Sequence, residues 1–411
     1  MSRPSVYVLG GFQTDFSRNY TREGLGLVDL FTDTVTGALR TAYIEATEVE
    51  VAHVGNFIGE LMCYQGHLGA FFLEADPAFR GVPTARHEAA CASGSIAALA
   101  AMAEIEAGRY DLACVLGIEM ERNVPAADAA AHLGVAAWHE KECQGVAYPW
   151  PHLFSELGKE YDRRYGLKRE HLSQIARTNF ANAKRNPNAQ TRTWTFTDES
   201  FEENDATNPV IDGMIRRQDC SQVTDGGAAI FLASAAFARR YAERIGVPLE
   251  RLARISGWGH HTAPMLLAAK IAESRDDPYV FPHVRATAMD ALRRAGLPDA
   301  HALDALEVHD CFTPTQYMAI DHYGLTAPGE SWKALEEGVT ELGGSTPVNP
   351  SGGLIGVGHP VGATGVRMLL DATKQVTETA GDYQVEGARR VATLNIGGSG
   401  TTSVSFIVTR D

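Results

Sequence analysis

Residues 6–11, VYVLGG, form an apolar run that predicts a buried strand, and the apolar positions of 27–46 then recur at helical spacing before VAHVGNFIG at 51–59 returns to a strand pattern. A helix is predicted from about Cys91 to Ala107, stopped by Gly108, and the strand DLACVLGIEM follows it. Strands alternating with helices predict an α/β chain with a mostly parallel sheet covered on both faces. The last third repeats the order: LARISGWG at 252–259, a helix over FPHVRATAMDALRRAG, the strand ALEVHD, a turn at 362–365, a helix to about Ala380 and RRVATLNIGGSG. CASG at 91–94 and GATG at 362–365 fall at the same strand-to-helix joint, so the chain reads as a fold duplicated within itself. Between the halves the pattern breaks into loops rich in Trp, Pro, Asn and His, with one helical stretch around LFSELGKEYDRRYG. The expected division is a first half over 1–120, an inserted loop domain over 121–220, the last strand and helix of the first half over 221–250, and a second half over 251–411.

Composition narrows the class. A chain of 411 residues exceeds one ordinary core, and 45% hydrophobic with 21% charged residues is that of a globular protein. The formal net charge of −15 argues against a nucleic-acid binder or a peripheral membrane protein. No apolar stretch is long enough for a signal peptide or a membrane span, which makes the expected location cytoplasmic. Six cysteines without a C-x-x-C pattern read as reduced thiols, with no disulfide frame and no metal site. Basic residues gather in the loop domain from Arg163 to Arg217, which suits either a phosphate-bearing ligand or a solvated helix face.

Four stretches carry candidate chemistry. In HEAACASGSIAALAA at 87–101, Cys91 stands where a strand ends and a helix begins, and the first-turn N–H groups and helix dipole there favour thiolate over thiol. EVHDCFTPT at 307–315 sets His309 and Cys311 at the C-terminal end of a predicted strand, where sites gather in open α/β sheets. NPSGGLIGVGHPVGATG at 349–365 surrounds His359 with glycines, and Gly356, Gly358 and Gly362 miss the dinucleotide fingerprint by one residue. NIGGSGTTSVSFIV offers backbone N–H groups in a Gly-rich turn. Each alone has an ordinary reading: a small buried hydrophobe, a loop histidine, a helix start, a hairpin. Together, in a duplicated topology, they reach one face. A thiolate, two histidines, a second thiol and free amides suit thioester chemistry.

In these residues the chain resembles the thiolase superfamily, and more narrowly the thiolases of the sterol carrier protein type, from about residue 5 to residue 408. ACASGS matches the family's nucleophile stretch, Gly358 to Gly365 its GGHP-GA-G block, and DCSQVTDGGAAI at 219–230 the segment that closes the loop domain. HDCF at 309–312 replaces the Asn-Glu-Ala-Phe of ordinary thiolases. The second catalytic cysteine of ordinary thiolases is missing, since Asn395-Ile396-Gly397 stands at its place.

The resemblance implies two similar βαβαβαββ halves in five layers, α-β-α-β-α, with the loop domain inserted. It implies Cys91 as nucleophile, His359 as its base, Cys311 as the second acid/base, His309 and His359 as donors to the enolate oxygen, and the amides of Cys91 and Gly397 for the acyl oxygen. Ser221, Asn395 and Gly358 are the implied substrate contacts. Coenzyme A is then substrate and product with no tightly bound cofactor, the partner is an acyl-CoA, and the assembly is a homodimer or homotetramer built through the first half. AYPWPHLF and GELMCYQGHLG are candidate pocket walls. The rival readings are a thiolase-fold lyase acting on steroid side-chain CoA thioesters and a non-catalytic acyl-CoA or lipid-binding partner subunit.

Overall fold

The computed structural model describes residues 5–411. Its strands are β1 (Val6–Gln13), β2 (Val51–Gly55), β3 (Thr84–His87), β4 (Leu112–Glu119), a loop-domain hairpin of β5 (Val210–Asp212) and β6 (Ile215–Arg216), β7 (Gly226–Ser234), β8 (Ala253–Thr262), β9 (Ala305–Val308), β10 (Arg390–Gly397) and β11 (Thr402–Thr409). The first half is ordered β3-β2-β4-β7-β1 and the second β8-β11-β10-β9, joined edge to edge where Val6–Val8 pairs with Ala253–Ile255.

The duplication is visible in strand direction. In the first half β2 runs parallel to β4, β4 antiparallel to β7, and β7 antiparallel to β1. In the second half β9 runs parallel to β10, β10 antiparallel to β11, and β11 antiparallel to β8. The expectation of a mostly parallel sheet is therefore corrected. Parallel pairing holds only where a helix crosses over, whereas β10 and β11 are joined by a tight turn that forces them antiparallel.

The main helices are α1 (Leu27–Ala42), α2 (Ser93–Glu106), α3 (Pro149–Tyr165), α4 (Arg169–Ala183), α5 (Ala235–Ile245), α6 (Pro282–Ala295), α7 (Thr313–Tyr323) and α8 (Thr364–Val376). Alternation along the strands separates the faces: Cys114, Leu116, Phe231 and Ala233 join the outer core under α1 and α5, while Ala113, Val115, Ile230 and Leu232 join the inner core with α2 and α8. In the second half Ile407 and Leu394 face α6 and α7, and Phe406 and Val408 face inward. The outcome is five layers, with α2 and α8 packed together between the two halves of the nine-stranded sheet. A helix covered on both sides must be apolar or small all round, and SGSIAALAAMAEIE meets that condition for most of its length.

The inserted segment is more helical than its sequence suggests. Where one helical stretch is predicted, α3 and α4 form two, preceded by a shorter helix at Ala126–Leu133. The turn at Gly166 separates α3 from α4, and in both helices polar residues interrupt the apolar stripe.

At the ends of α2, α8, β2 and β4 the backbones touch. A Cβ on Gly94 or Gly117 would lie 2.7 or 2.5 Å from the Gly362 carbonyl oxygen, and one on Gly362 would lie 2.5 Å from the Ile118 carbonyl oxygen. Backbone cannot yield as a side chain can. Gly362→Ala is expected to destabilise the protein by about 1–3 kcal/mol through overpacking, which a thermal melt against the native chain reads as a lowered Tm; an unchanged Tm would mean that the halves are not held at this point.

Candidate functional site

Cys91 sits on a strained joint. β3 ends at His87, a 3-10 turn spans Ala90–Ala92, and α2 starts at Ser93. Ala90 adopts φ 51°, a left-handed conformation that costs a non-glycine residue about 1 kcal/mol or more. It is held there from three sides: the Ala90 N–H donates to Glu88 Oε1 (2.6 Å), the Ser93 hydroxyl donates to the Ala90 carbonyl (2.6 Å), and the Ala89 N–H donates to Ser93 Oγ (2.9 Å). The thiol is thereby turned toward the second half.

Two histidines meet it. His309 follows β9 directly, and His359 follows a short helix, Gly353–Val357, through Gly358 at φ +113°. A Cβ at Gly358 would strike Thr224 Oγ1, the same hydroxyl that accepts the His359 N–H at 3.0 Å. The Cys91 sulfur and one ring nitrogen of each histidine lie within 4.8 Å of one another, and the two rings stand nearly perpendicular with centroids 5.2 Å apart.

Their tautomers differ. The Thr364 hydroxyl donates to the Pro360 carbonyl, so it accepts from His359 Nδ1–H at 2.7 Å and leaves His359 Nε2 as a bare lone pair. Asn395 accepts the Ser95 hydroxyl on Oδ1 (2.8 Å) and donates through Nδ2 to His309 Nδ1 (3.2 Å), which puts the His309 proton on Nε2. Both Nε2 atoms are buried and make no hydrogen bond within the chain. One can take a proton and the other can donate one. With a proton on His309 Nε2 and a lone pair on His359 Nε2, the trio is arranged for proton transfer.

Burial drives each of these groups toward its uncharged form. Burial, and next the neighbouring Glu121, push the Cys91 thiol up to about 12, against the opposing hydrogen bond from the Gly398 amide. This corrects the expectation of a resting thiolate: the sulfur lies two residues before α2 begins, and the charged groups that act on it are the Glu121 and Glu119 carboxyls, not cations. Burial and then the Arg367 guanidinium lower His309 to about 3, and burial, His309 and Arg367 hold His359 well below its ordinary value. The Cys311 thiol is raised well above the usual range by burial and by Cys91, with the Thr315 hydroxyl opposing. Glu121 is likewise raised by burial and by Glu119.

These groups line a cavity of about 250 Å³. Its far wall is Leu133, Tyr148, Trp150 and Phe154, so the AYPWPHLF stretch does share a cavity with Cys91, while Glu60 and His67 of the other stretch line a neighbouring open groove. Ser221, whose N–H donates to the Cys311 carbonyl (2.8 Å), stands with Cys220 and Gln222 between this cavity and a second of about 390 Å³ lined by Trp194, Phe196 and Arg217. Asn395 and Gly397 lie on β10, and Gly397 is bare because a Cβ would collide with the Ala89 carbonyl oxygen.

Sequence reasoning overlooked Glu121, Ser95, Thr364 and Gly398, whose types carry no signal of their own; only folding places them against the site. The loop-domain basic residues are mostly committed to internal pairs: Arg169 to Asp219 at 2.6 Å, Arg192 to Asp15 at 2.7 Å, and Arg163 and Arg164 to Glu160 at 2.7 Å. Among the described residues Lys184, Arg185 and Arg217 make no ion pair.

Residues 6–236 match the family description "Thiolase, N-terminal domain", and residues 268–410 match "Thiolase C-terminal domain-like". An acetyl-CoA acetyltransferase of Methanothermobacter thermautotrophicus is 33% identical over 407 residues, covering 98% of this chain and 99% of the relative. Human sterol carrier protein 2 is 28% identical over 418 residues, 98% of this chain and 71% of the relative. Among solved structures, an Ltp2-ChsH2(DUF35) aldolase superposes with a TM-score of 0.78 at 19% identity, over 100% of this chain and 99% of its own, and human mitochondrial 3-ketoacyl-CoA thiolase with 0.72 at 17%, over the whole of both chains. With the family's two domain descriptions spanning nearly its whole length, and a relative one-third identical from end to end, the chain belongs to the thiolase family.

Proposed function

We propose that the protein is an acyltransferase that cleaves 3-oxoacyl-CoA with free coenzyme A, or runs the reverse Claisen condensation, through an acyl group carried on Cys91. The observation that carries this reading is the pair of opposed histidine tautomers within 4.8 Å of the Cys91 sulfur. His359 Nε2, a lone pair beside a neutral thiol, takes the Cys91 proton as the sulfur attacks the keto carbonyl. The carbon–carbon bond breaks, and the electron pair moves onto the thioester enolate. His309 Nε2–H donates to that enolate oxygen, and Cys311 delivers its proton to the enolate carbon to release acetyl-CoA. Coenzyme A then takes the acyl group from Cys91, its thiol proton going to the Cys311 thiolate while the released Cys91 sulfur recovers its proton from His359. The oxygen of the acyl-Cys91 carbonyl is served by the amides of Cys91 and of the Gly397–Gly398 turn, and losing such a donor costs about 3 kcal/mol of barrier.

Ser221 and Gln222 are the passage for the pantetheine arm between the two cavities, with Gly358 and Asn395 backing the reacting end. The nucleotide of coenzyme A lies beyond it, against the rings of Trp194 and Phe196 and the Arg217 guanidinium. No tightly bound cofactor enters this chemistry. The second copy expected of the assembly pairs along the outer edge of β3, which has a neighbour on one side only. The lyase reading needs no acyl-Cys91, and the binding-subunit reading needs no second thiol.

Three results test the proposal. With acetoacetyl-CoA and a longer 3-oxoacyl-CoA as substrates, native protein is expected to cleave both only when coenzyme A is present. Cys91→Ala abolishes cleavage and the acyl adduct seen by intact mass; Cys311→Ala loses cleavage by at least about a hundredfold yet still takes an acetyl group from acetyl-CoA, because that exchange moves no carbon-bound proton. Cleavage without any adduct would move the assignment to the lyase. Since the Cys91 thiol is raised to about 12, the thiolate fraction is negligible at neutral pH and grows about tenfold per unit as pH rises, so native and Cys91→Ser proteins should show the same thiolate absorbance near neutrality; a native excess there would contradict the neutral resting pair. Trp194→Ala and Arg217→Ala should each raise KM for coenzyme A by about five- to tenfold with kcat unchanged, and a fall in kcat at constant KM would remove the nucleotide from that groove.

A further inference from the structure

The turn that faces the Cys91 sulfur is gripped from behind by a buried lysine. Lys270, on the helix Leu267–Glu273, is 3% exposed, and its ammonium donates to Ser399 Oγ (2.8 Å), Thr401 Oγ1 (2.9 Å) and the Met265 carbonyl (3.1 Å). All three hydrogens are used. Among the described residues it has no carboxylate within ion-pair distance; Glu142 acts on it only from farther off, its Oε1 being occupied by the Leu267 N–H. A buried ammonium without a counterion is costly, and an apolar side chain could fill the same space. The lysine differs from such a filler in holding two hydroxyls that stand two residues apart in one turn.

Other bonds close the grip. His283, on α6, donates its Nε2–H to the Gly400 carbonyl at 2.7 Å, and burial keeps this imidazole neutral at about 4. The Thr401 N–H donates to the Gly397 carbonyl (3.0 Å), and the Thr401 carbonyl accepts the Ala263 N–H (2.8 Å). Gly398 and Gly400 have φ of +62° and +81°, which lets the turn double back between these anchors. Gly398 lines the same cavity as Cys91, and its amide acts on the sulfur.

We infer that Lys270 is a positioning residue that, through Ser399 and Thr401, fixes the direction of the Gly398 N–H toward the sulfur and the acyl oxygen carried on it; this rests on the acyl-Cys91 reading. A donor aimed by a rigid turn does not reorganise when the oxyanion forms, and a donor on a loose turn must. The lysine touches neither substrate nor nucleophile.

The test uses the full-length chain with Lys270→Met, which keeps the length of the side chain, and separately Ser399→Ala, which leaves the lysine and removes one acceptor. Acetyl-CoA labelled at the carbonyl carbon loads Cys91, and infrared difference spectra read the carbonyl stretch of the acyl-enzyme. Lys270→Met is expected to lower kcat by about ten- to a hundredfold with KM within twofold, and to move the carbonyl stretch to higher wavenumber because the oxygen is less polarised. Ser399→Ala should shift both in the same direction by less. Loss of kcat with an unmoved carbonyl stretch in both variants, or no change in either quantity, overturns the positioning role. Native protein that takes no acetyl group overturns the acyl-transfer reading and this inference with it.

Discussion

The site depends on one contact between backbones. Gly55, Gly94, Gly117 and Gly362 meet where the two halves of the molecule come together, each so close to a neighbouring main chain that a Cβ would lie at 2.5 to 2.7 Å. Cys91 stands three residues before Gly94 and His359 three residues before Gly362, so the contact that joins the halves also sets the separation of sulfur and imidazole. Side chains at these four positions would push the middle helices apart, and the reacting groups would separate with them. The same joint explains why α2 is built of Ala, Ser and Gly: it has strands of the first half on one side, α8 on the other and the glycine contact at its head.

A second theme is neutrality. Two thiols, two imidazoles and the Glu121 carboxyl share a small cavity whose far wall is aromatic and aliphatic, and burial drives each toward its uncharged form. The buried Arg367, held by Asp371 at 2.8 Å and by Ser351 at 2.9 Å, supports this from a distance, since its charge disfavours imidazolium at both histidines. Preorganised donors in such a setting act strongly because no solvent competes with them.

Much of this was legible in the chain. Periodicity predicts the strands at 6–11, 51–59 and 252–259 and the helices over 27–46 and 281–296 because buried strands and amphipathic helices impose their own spacing. Strand direction was not legible, since it depends on whether a crossover helix or a tight turn joins two strands. Of the loop domain's two long helices only α3 was legible, and α4 was concealed behind polar residues. Its basic residues look from the sequence like a phosphate site, and most prove to be paired with Asp or Glu that lie elsewhere in the chain, as Arg192 with Asp15 and Arg169 with Asp219 do.

The sequence by itself determined which groups can react and that they stand at strand ends: a cysteine before a helix, a His-x-Cys after a strand, a histidine among glycines, and a Gly-rich turn. Only the tertiary structure decided their protonation. The His309 proton is placed by Asn395, 86 residues away, which is oriented in turn by Ser95, 300 residues from it. The Cys91 thiol is held neutral by burial and by a carboxyl that follows β4. Hydrogen-bond partners and local dielectric belong to the packed molecule, so no reading of local spacing could have supplied a tautomer or a pKa.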